Sequence, residues 1–256
     1  MGNFETLLDS IGIFREDSGM HMWWSKNDVG GYAYQEKMNK NFMEQFTPHL
    51  RGNDVAVQAG GNCGYVTKLI SEHFNNTYTF EPDAMSFLAL CLNLPHENVH
   101  KFQACLGSEH NMVELVNKHS NPDWKAGANY VNNSDASIST IPTLLVDDLN
   151  LNACDFIQLD LEGYEFSALQ GARKTIEKYK PLLCIEVGEP DLKTSDTGWG
   201  RRYGISIEKL EDLIISDFGY EFVGHHKDLG GVASWDKIYK YSDEVTFKKI
   251  GETDIE

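Results

Sequence analysis

The feature that most constrains this chain is the order of its apolar segments. Val55 to Ala59, Thr77 to Phe80, Val99 to Cys105, Phe156 to Leu161 and Pro181 to Val187 read as short buried strands. Between them apolar residues recur at helical spacing: Val66, Leu69, Ile70 and Phe74; Ala84, Leu88, Cys91 and Leu92; Phe166, Leu169, Ala172 and Ile176. A further such set, Ile207, Leu210, Leu213 and Ile214, follows the last of these strands. Strand and helix in alternation build a parallel sheet covered on both faces. The ending departs from that rule. Two strand-like runs, Tyr220 to Val223 and Val232 to Tyr241, stand about eight residues apart, too few for the dozen or more of a parallel crossover. They should pair antiparallel. The expected fold is α/β and Rossmann-like, its sheet mostly parallel with a C-terminal antiparallel hairpin.

Ahead of this pattern residues 1–53 form an N-terminal helical appendage, where Met38, Phe42, Phe46 and Leu50 keep helical spacing; residues 54–256 form the main domain. Met112 to Val116 reads as a short strand, residues 118–140 as a long polar loop, and 189–204 as a second irregular segment. Acidic residues outnumber basic ones 39 to 22, a net charge of −17 in 256 residues. That balance argues against a surface built to grip nucleic acid or anionic lipid, since each phosphate contact needs a cation. No apolar run approaches the roughly 18 residues of a membrane span, and the first residues lack a signal peptide's basic start. The five cysteines form no CxxC pair, so neither zinc nor a disulfide framework is expected, and the chain reads as reduced and cytoplasmic. No metal is expected: Asp147 and Asp148, as adjacent strand residues, would point to opposite faces.

Between the first strand and helix of the main domain lies Val57-Gln58-Ala59-Gly60-Gly61-Asn62-Cys63-Gly64. Glycines there let the backbone turn sharply and come close to a ligand. Glu81 closes the next strand, 21 positions after Gly60, where a carboxylate meets a ribose diol, and Pro82 ends that strand. The same glycines would serve a tight turn that binds nothing. A dinucleotide calls for G-x-G-x-x-G, which here can only be forced as Ala59-x-Gly61-x-x-Gly64. The order Gln58-x-Gly60-x-Asn62-x-Gly64 fits the methyltransferase form of the loop better, and the closing hairpin points to the same class I architecture.

The chain resembles the FkbM family of S-adenosylmethionine-dependent methyltransferases from about Asp54 to Tyr241. The residues that carry the likeness are Gly60 to Tyr65, Thr79 to Asp83, Ala104 to Gly107, Val146 to Leu149, Phe156 to Glu165, Ala168 to Ala172 and Pro181 to Val187. The resemblance implies methyl transfer, commonly to a hydroxyl of a sugar or secondary metabolite. It implies that Gly60, Gly61, Asn62 and Gly64 line the methionine part of the cofactor, that Glu81 holds the ribose, and that Gln103 and Ala104 edge the adenine. Gln58, Tyr65, Pro82 and Asp160 join that candidate cofactor set. Two residues depart from the family pattern: Gln58 stands where an acid is usual, and Gln158 where a Lys is frequent.

The Asp160-Leu161-Glu162-Gly163 run ends a central strand, where ligands of open α/β sheets bind. If the strand continues through it, Asp160 and Glu162 share a face. Asp160 is then the candidate nearest the reacting centre and Glu162 the candidate general base, although a glutamate there also suits a helix cap. Glu186 and Glu189 flank the next strand end. Trp199, Arg201 and Arg202 set guanidinium forks among aromatics, which suits a saccharide or another polar, anionic acceptor. His225 and His226, expected at the hairpin turn, are further candidate bases. The leading expectation is an O-methyltransferase; the alternatives are a nicotinamide oxidoreductase and a methyltransferase fold that binds without catalysing.

Overall fold

The computed structural model describes residues 2–15, 21–26, 42–117, 129–132, 139–187, 205–227 and 233–242. Helix α1 (Gly2–Ser10) leads into an antiparallel pair, β1 (Ile13–Arg15) and β2 (Trp23–Ser25). Two 3₁₀ turns, Phe42–Gln45 and Thr47–His49, precede the main domain. The single helix expected along the 34–50 stripe is not formed over its described part. Pro48, which has no N–H to extend a helical ladder, sits at the start of the second turn and tightens the chain there.

The main domain then runs β3 (Val55–Ala59), α2 (Tyr65–Ser71), β4 (Asn76–Phe80), α3 (Ala84–Asn93) and β5 (Val99–Phe102). Next come β6 (Cys105–Leu106), β7 (Met112–Asn117), β8 (Asn129–Asn132) and β9 (Ser139–Leu144). The rest is β10 (Phe156–Leu159), α4 (Glu165–Gln170), α5 (Arg173–Tyr179), β11 (Leu182–Glu186), α6 (Ile207–Asp212), β12 (Tyr220–Lys227) and β13 (Ala233–Tyr241). Seven strands form the central sheet in the order β12-β13-β11-β10-β3-β4-β5. The pairs from β11 to β5 are parallel, and β13 runs antiparallel between β11 and β12. From β3 the chain winds outward through β4 to β5, then returns to lay β10 on the other side of β3. The crevice between β3 and β10 is therefore the topological switch point, where open α/β sheets bind ligands.

Both faces of the sheet are covered. Val57, Ala59, Ile157, Leu159, Leu183 and Ile185 pack with Leu169, Ile176, Leu210 and Ile214 on one face. Ala56, Phe156, Leu182 and Cys184 pack with Phe42, Met43, Phe46, Ile70 and Phe74 on the other. The N-terminal segment is joined to α2 and α3: Leu8, Ile13, Met22 and Trp24 bury against Cys63, Tyr65 and Ala89. Asn93 locks this contact, accepting from Trp23 N at 2.7 Å and donating to the carbonyls of Trp23 and Cys63. None of the five cysteines, all among the described residues, is in a disulfide.

Four expectations change in detail. The strand expected from Val99 to Cys105 breaks after Phe102, and Cys105–Leu106 instead pairs with β9 in a second sheet ordered β6-β9-β7-β8. The polar stretch 118–140 is not all loop, since β8 and the start of β9 fall inside it and pair with β7. The helix after Gly163 is two. Its break lies at Gly171, where the Asp147 carboxylate takes the N–H groups of Lys174 and Thr175 and starts α5 afresh. Finally, β12 reaches Lys227, so His225 and His226 belong to a strand and not to a turn.

Candidate active site

At the carboxyl ends of β3, β4 and β10 opens a cavity of about 150 Å³, the place where open α/β sheets bind ligands. Its near wall is the glycine turn. Gly60 has φ +84°, and a Cβ there would collide with the carbonyl oxygen of Asp160, so only glycine lets the turn lie this close to β10. Gly60 N and Gly61 N both donate to Phe80 O, at 3.1 and 3.0 Å, and Asp160 N donates to Ala59 O at 3.1 Å. The turn, β4 and β10 are thus tied by backbone bonds before any side chain is counted. Glu81, at the tip of β4, accepts from Asn62 N at 2.7 Å and Asp83 N at 2.8 Å, which fixes its carboxylate at the cavity wall.

Beneath the turn two amides lie side by side. Gln58 and Gln158 are register partners on β3 and β10, and both line the cavity. Gln58 Oε1 accepts from Thr67 and Thr79, while its Nε2 is buried without a partner; Gln158 Oε1 is likewise buried and unpartnered. Leaving such a group unsatisfied costs about 1–3 kcal/mol.

Carboxylates gather at the far wall. β10 ends at Leu159, and Glu162 has φ +54°, so the strand does not continue through Asp160-Leu161-Glu162 and the two acids do not share a strand face. Both still line the cavity, because the turn folds back toward it. Leu159 is paired with Ile185, so the next step sets Asp160 beside Glu186, itself the register partner of Asp236. Three acids therefore stand in a row across neighbouring strands. Burial amid this part of the protein, then the like charges of Asp236 and Glu162, push the Asp160 carboxyl up to about 7, against a hydrogen bond with Glu186 that pulls it down. Its side chain is open to the cavity, where water offsets part of the burial, so the upward direction rests most firmly on the like charges. Burial and the Asp160 charge raise Glu186 as well. Behind them Glu165 is fully buried at the start of α4. Its Oε1 accepts from Leu161 N and Gly163 N, and burial pushes it up to about 8 in spite of those bonds.

Of the residues singled out from sequence, Gln58, Gly60, Gly61, Asn62, Glu81, Pro82, Ala104, Asp160 and Glu162 meet on this cavity. Gly64 caps α2 with φ +91°, and Tyr65 is turned away into the N-terminal cluster, so neither lines the cavity. Gln103 is exposed beyond β5, and Glu186 stands behind Asp160. Trp199, Arg201, Arg202 and Glu189 lie outside the described residues, as does the side chain of His226; the His225 ring meets Phe222 edge-on at 5.3 Å. Nine lining residues were missed as site residues, among them the polar Ser86, Gln158 and Tyr164 and, from the second sheet, Leu115. A period-two reading back from Asp160 would have found Gln158. Leu115 carries no local signal, because β7 reaches the cavity only through its own sheet. Among the described residues no cluster of His, Cys, Asp and Glu is arranged to hold a metal, and no helix is long and apolar enough to cross a membrane.

Comparison with known proteins agrees with this geometry. No curated protein matches the chain. Among solved structures it is similar to the methyltransferase FkbM from Methylobacillus flagellatus KT, 19% identical, with a TM-score of 0.52 over 82% of this chain and 50% of that one. The chain thus spans half the length of that protein. It is also similar to an O-methyltransferase from Bacillus cereus in complex with SAH (13% identical, TM-score 0.46, 78% of each chain). A SAM-dependent methyltransferase from Aquifex aeolicus is 12% identical with a TM-score of 0.43, over 92% of this chain and 97% of that one. The family model described as the methyltransferase FkbM domain matches residues 54–222, about two thirds of the sequence. The fold is that of the class I methyltransferases, and the chain belongs to the FkbM methyltransferase family, whose cofactor is S-adenosylmethionine.

Proposed function

We propose that this protein transfers a methyl group to a hydroxyl oxygen of a saccharide or another small polar acceptor, with Asp160 as the proton acceptor. The observation that carries the reading is a carboxylate on the cavity wall whose pKa is pushed up to about 7. A general base works best when its pKa lies near the working pH. The residues present suit the cofactor. A carboxylate stands at the β4 tip for the ribose, a glycine turn leaves backbone room for the methionine part, and Ala104 and Leu106 offer an apolar edge for the adenine. S-adenosylmethionine, when bound, supplies a methyl group on a positively charged sulfur.

The chain's own residues do the rest. Asp160 accepts the proton of the acceptor hydroxyl, and burial with the like charges of Asp236 and Glu162 keeps that carboxylate basic. Glu162 lines the same wall and orients the acceptor. This exchanges the roles first expected for the two acids, because the Asp160 carboxyl is pushed up among Asp236 and Glu162. Trp199, Arg201 and Arg202 supply the stacking faces and forks through which an anionic, sugar-like acceptor would be held.

The test is transfer of labelled methyl to a panel of neutral, acidic and amino sugars and small phenols. Acid sugars should lead. Asp160→Asn should lower kcat by about a hundredfold or more, with SAH affinity kept within about threefold. In the wild type kcat/KM should rise with pH through about 7. Labelling of an amine in preference to every hydroxyl would overturn the O-methylation reading; SAH binding without transfer to any acceptor would favour a binding module.

A further inference from the structure

The acids behind the cavity wall carry an inference of their own. β10 and β11 run parallel with Leu159 opposite Ile185, which brings Asp160 beside Glu186 at the strand ends, and the two side chains are hydrogen-bonded. Two carboxylates cannot make that bond, since each offers acceptors only; one of the pair must hold a proton. The charges that bear on them from the described residues are negative: Glu162 on the turn, Asp236 opposite Glu186 on β13, and Glu165 at the start of α4. Lys237, the cation next to Asp236 in the chain, is paired with Glu211 at 2.6 Å. Such a setting favours keeping the proton. The two carboxyls differ in their access to water. Asp160 is open to the cavity, where water can solvate a charge, whereas Glu186 Oε2 is buried and accepts no hydrogen bond from the described residues. An ionised Glu186 would hold charge on that oxygen with nothing to offset it; the neutral acid leaves only a carbonyl there.

We propose that Glu186 is a positioning residue for Asp160: at neutral pH it remains a carboxylic acid and donates its O–H to the Asp160 carboxylate. The proposal rests on Asp160 as the proton acceptor and deepens that reading. One oxygen of Asp160 is committed to Glu186 and the other is left to face the acceptor hydroxyl, so the base is aimed before anything binds. The proton of the acceptor passes to Asp160, and the proton of Glu186 stays where it is. The bond also steadies the ionised form of Asp160, which Asp236 and Glu162 disfavour.

Carboxyl-carbon NMR on the full chain, with carbon-13 in the Asp and Glu side chains, reads both groups directly and needs no substrate. The two signals are identified by their loss in Asp160→Asn and Glu186→Gln. In the wild type the Glu186 signal should hold its acid position from about pH 5 to about pH 9, while the Asp160 signal moves through a midpoint of about 7. Glu186→Gln keeps an N–H donor and carries no charge, so the Asp160 midpoint should stay within about 0.3 of a pH unit. Glu186→Met donates nothing and should raise that midpoint by about one to two units, the scale of a lost hydrogen bond to a charged group. An ionised Glu186 would make both substitutions lower the midpoint, because each removes a like charge, and that result would overturn the proposal. So would a Glu186 signal that ionises at about pH 4 with the exposed glutamates. The wild-type titration decides the matter even if the Met variant does not fold. If the signals behave as expected and Asp160→Asn still transfers methyl, the base reading fails and the pair stands. If Asp160→Asn abolishes transfer while Glu186 ionises, the pair alone fails.

Discussion

Glu165 makes no contact with the cavity, yet it ties the site to the solution pH. Burial raises its pKa from 4.5 to about 8, and Asp160 moves from 3.8 to about 7 in the same direction. A carboxyl raised in the folded state keeps its proton over a range where the unfolded chain has lost it. Stability is therefore greatest below the unfolded pKa and falls as pH rises toward the folded one. Thermal melts should show Tm decreasing between about pH 5 and pH 8. Glu165→Gln, which mimics the protonated form and keeps an oxygen for Leu161 N and Gly163 N, should flatten that decrease. At pH 5 it should match the wild type, and at pH 8 it should exceed it by on the order of 1–2 kcal/mol. Glu81 has a different role, because its two oxygens hold Asn62 N and Asp83 N in place. If Glu81 holds the ribose as proposed, Glu81→Ala should weaken S-adenosylhomocysteine by roughly ten- to a hundredfold, through both the lost contact and the loosened turn.

Among the elements, the break between α4 and α5 is set by a single carboxylate. Asp147 accepts from Lys174 N, Thr175 N and Thr175 Oγ1, so it caps α5 from a separate turn, in place of the metal-ligand role weighed for it. Asp147→Ala should cost about 1–2 kcal/mol in denaturant unfolding, the scale of a lost helix cap. Such a link between residues 27 or more apart is invisible to periodicity, and so the helix after Gly163 reads as continuous in sequence. The central strands are legible for the opposite reason: β3 and β10 are buried on both faces and show as apolar runs interrupted by one glutamine each, Gln58 and Gln158. This wall of the cavity is legible too, since the turn at Gly60 and the acid at Glu81 are local to adjoining elements. What fails to show is what reaches the cavity from afar, Leu115 on β7 above all. The placement of Asp160 and Glu162 failed to show because the strand ends at Leu159 and Glu162 turns left-handed, against the period-two argument.

At the scale of the whole molecule, the N-terminal segment and the main domain share a core. Trp24 is fully buried against residues of α2 and α3, the two helices that follow the glycine turn and the Glu81 corner. Trp24→Ala should destabilise the protein by about 3–5 kcal/mol, read from chemical unfolding, and should lower SAH affinity as well. A merely appended segment would leave affinity unchanged. SAH at about a hundred times its Kd should in turn stabilise the folded chain by about 2.7 kcal/mol, seen as a rise in Tm.

The position of β13 has a consequence for how the molecule comes into being. It is the last strand of the sheet in sequence, yet it lies inside, with β11 on one side and β12 on the other. During synthesis the ribosome must release residues 233–241 before β12 can join the sheet, so the nascent chain waits with two unpaired edges exposed. Closing that gap also joins residues distant in sequence, and such closures are slow. Cutting the chain before Ala233 would leave a slot in the sheet instead of a trimmed margin, and β12 would have nothing to hold. A chaperone or a neighbouring nascent chain would find its opening in that interval, on the half of the sheet farthest from Glu81.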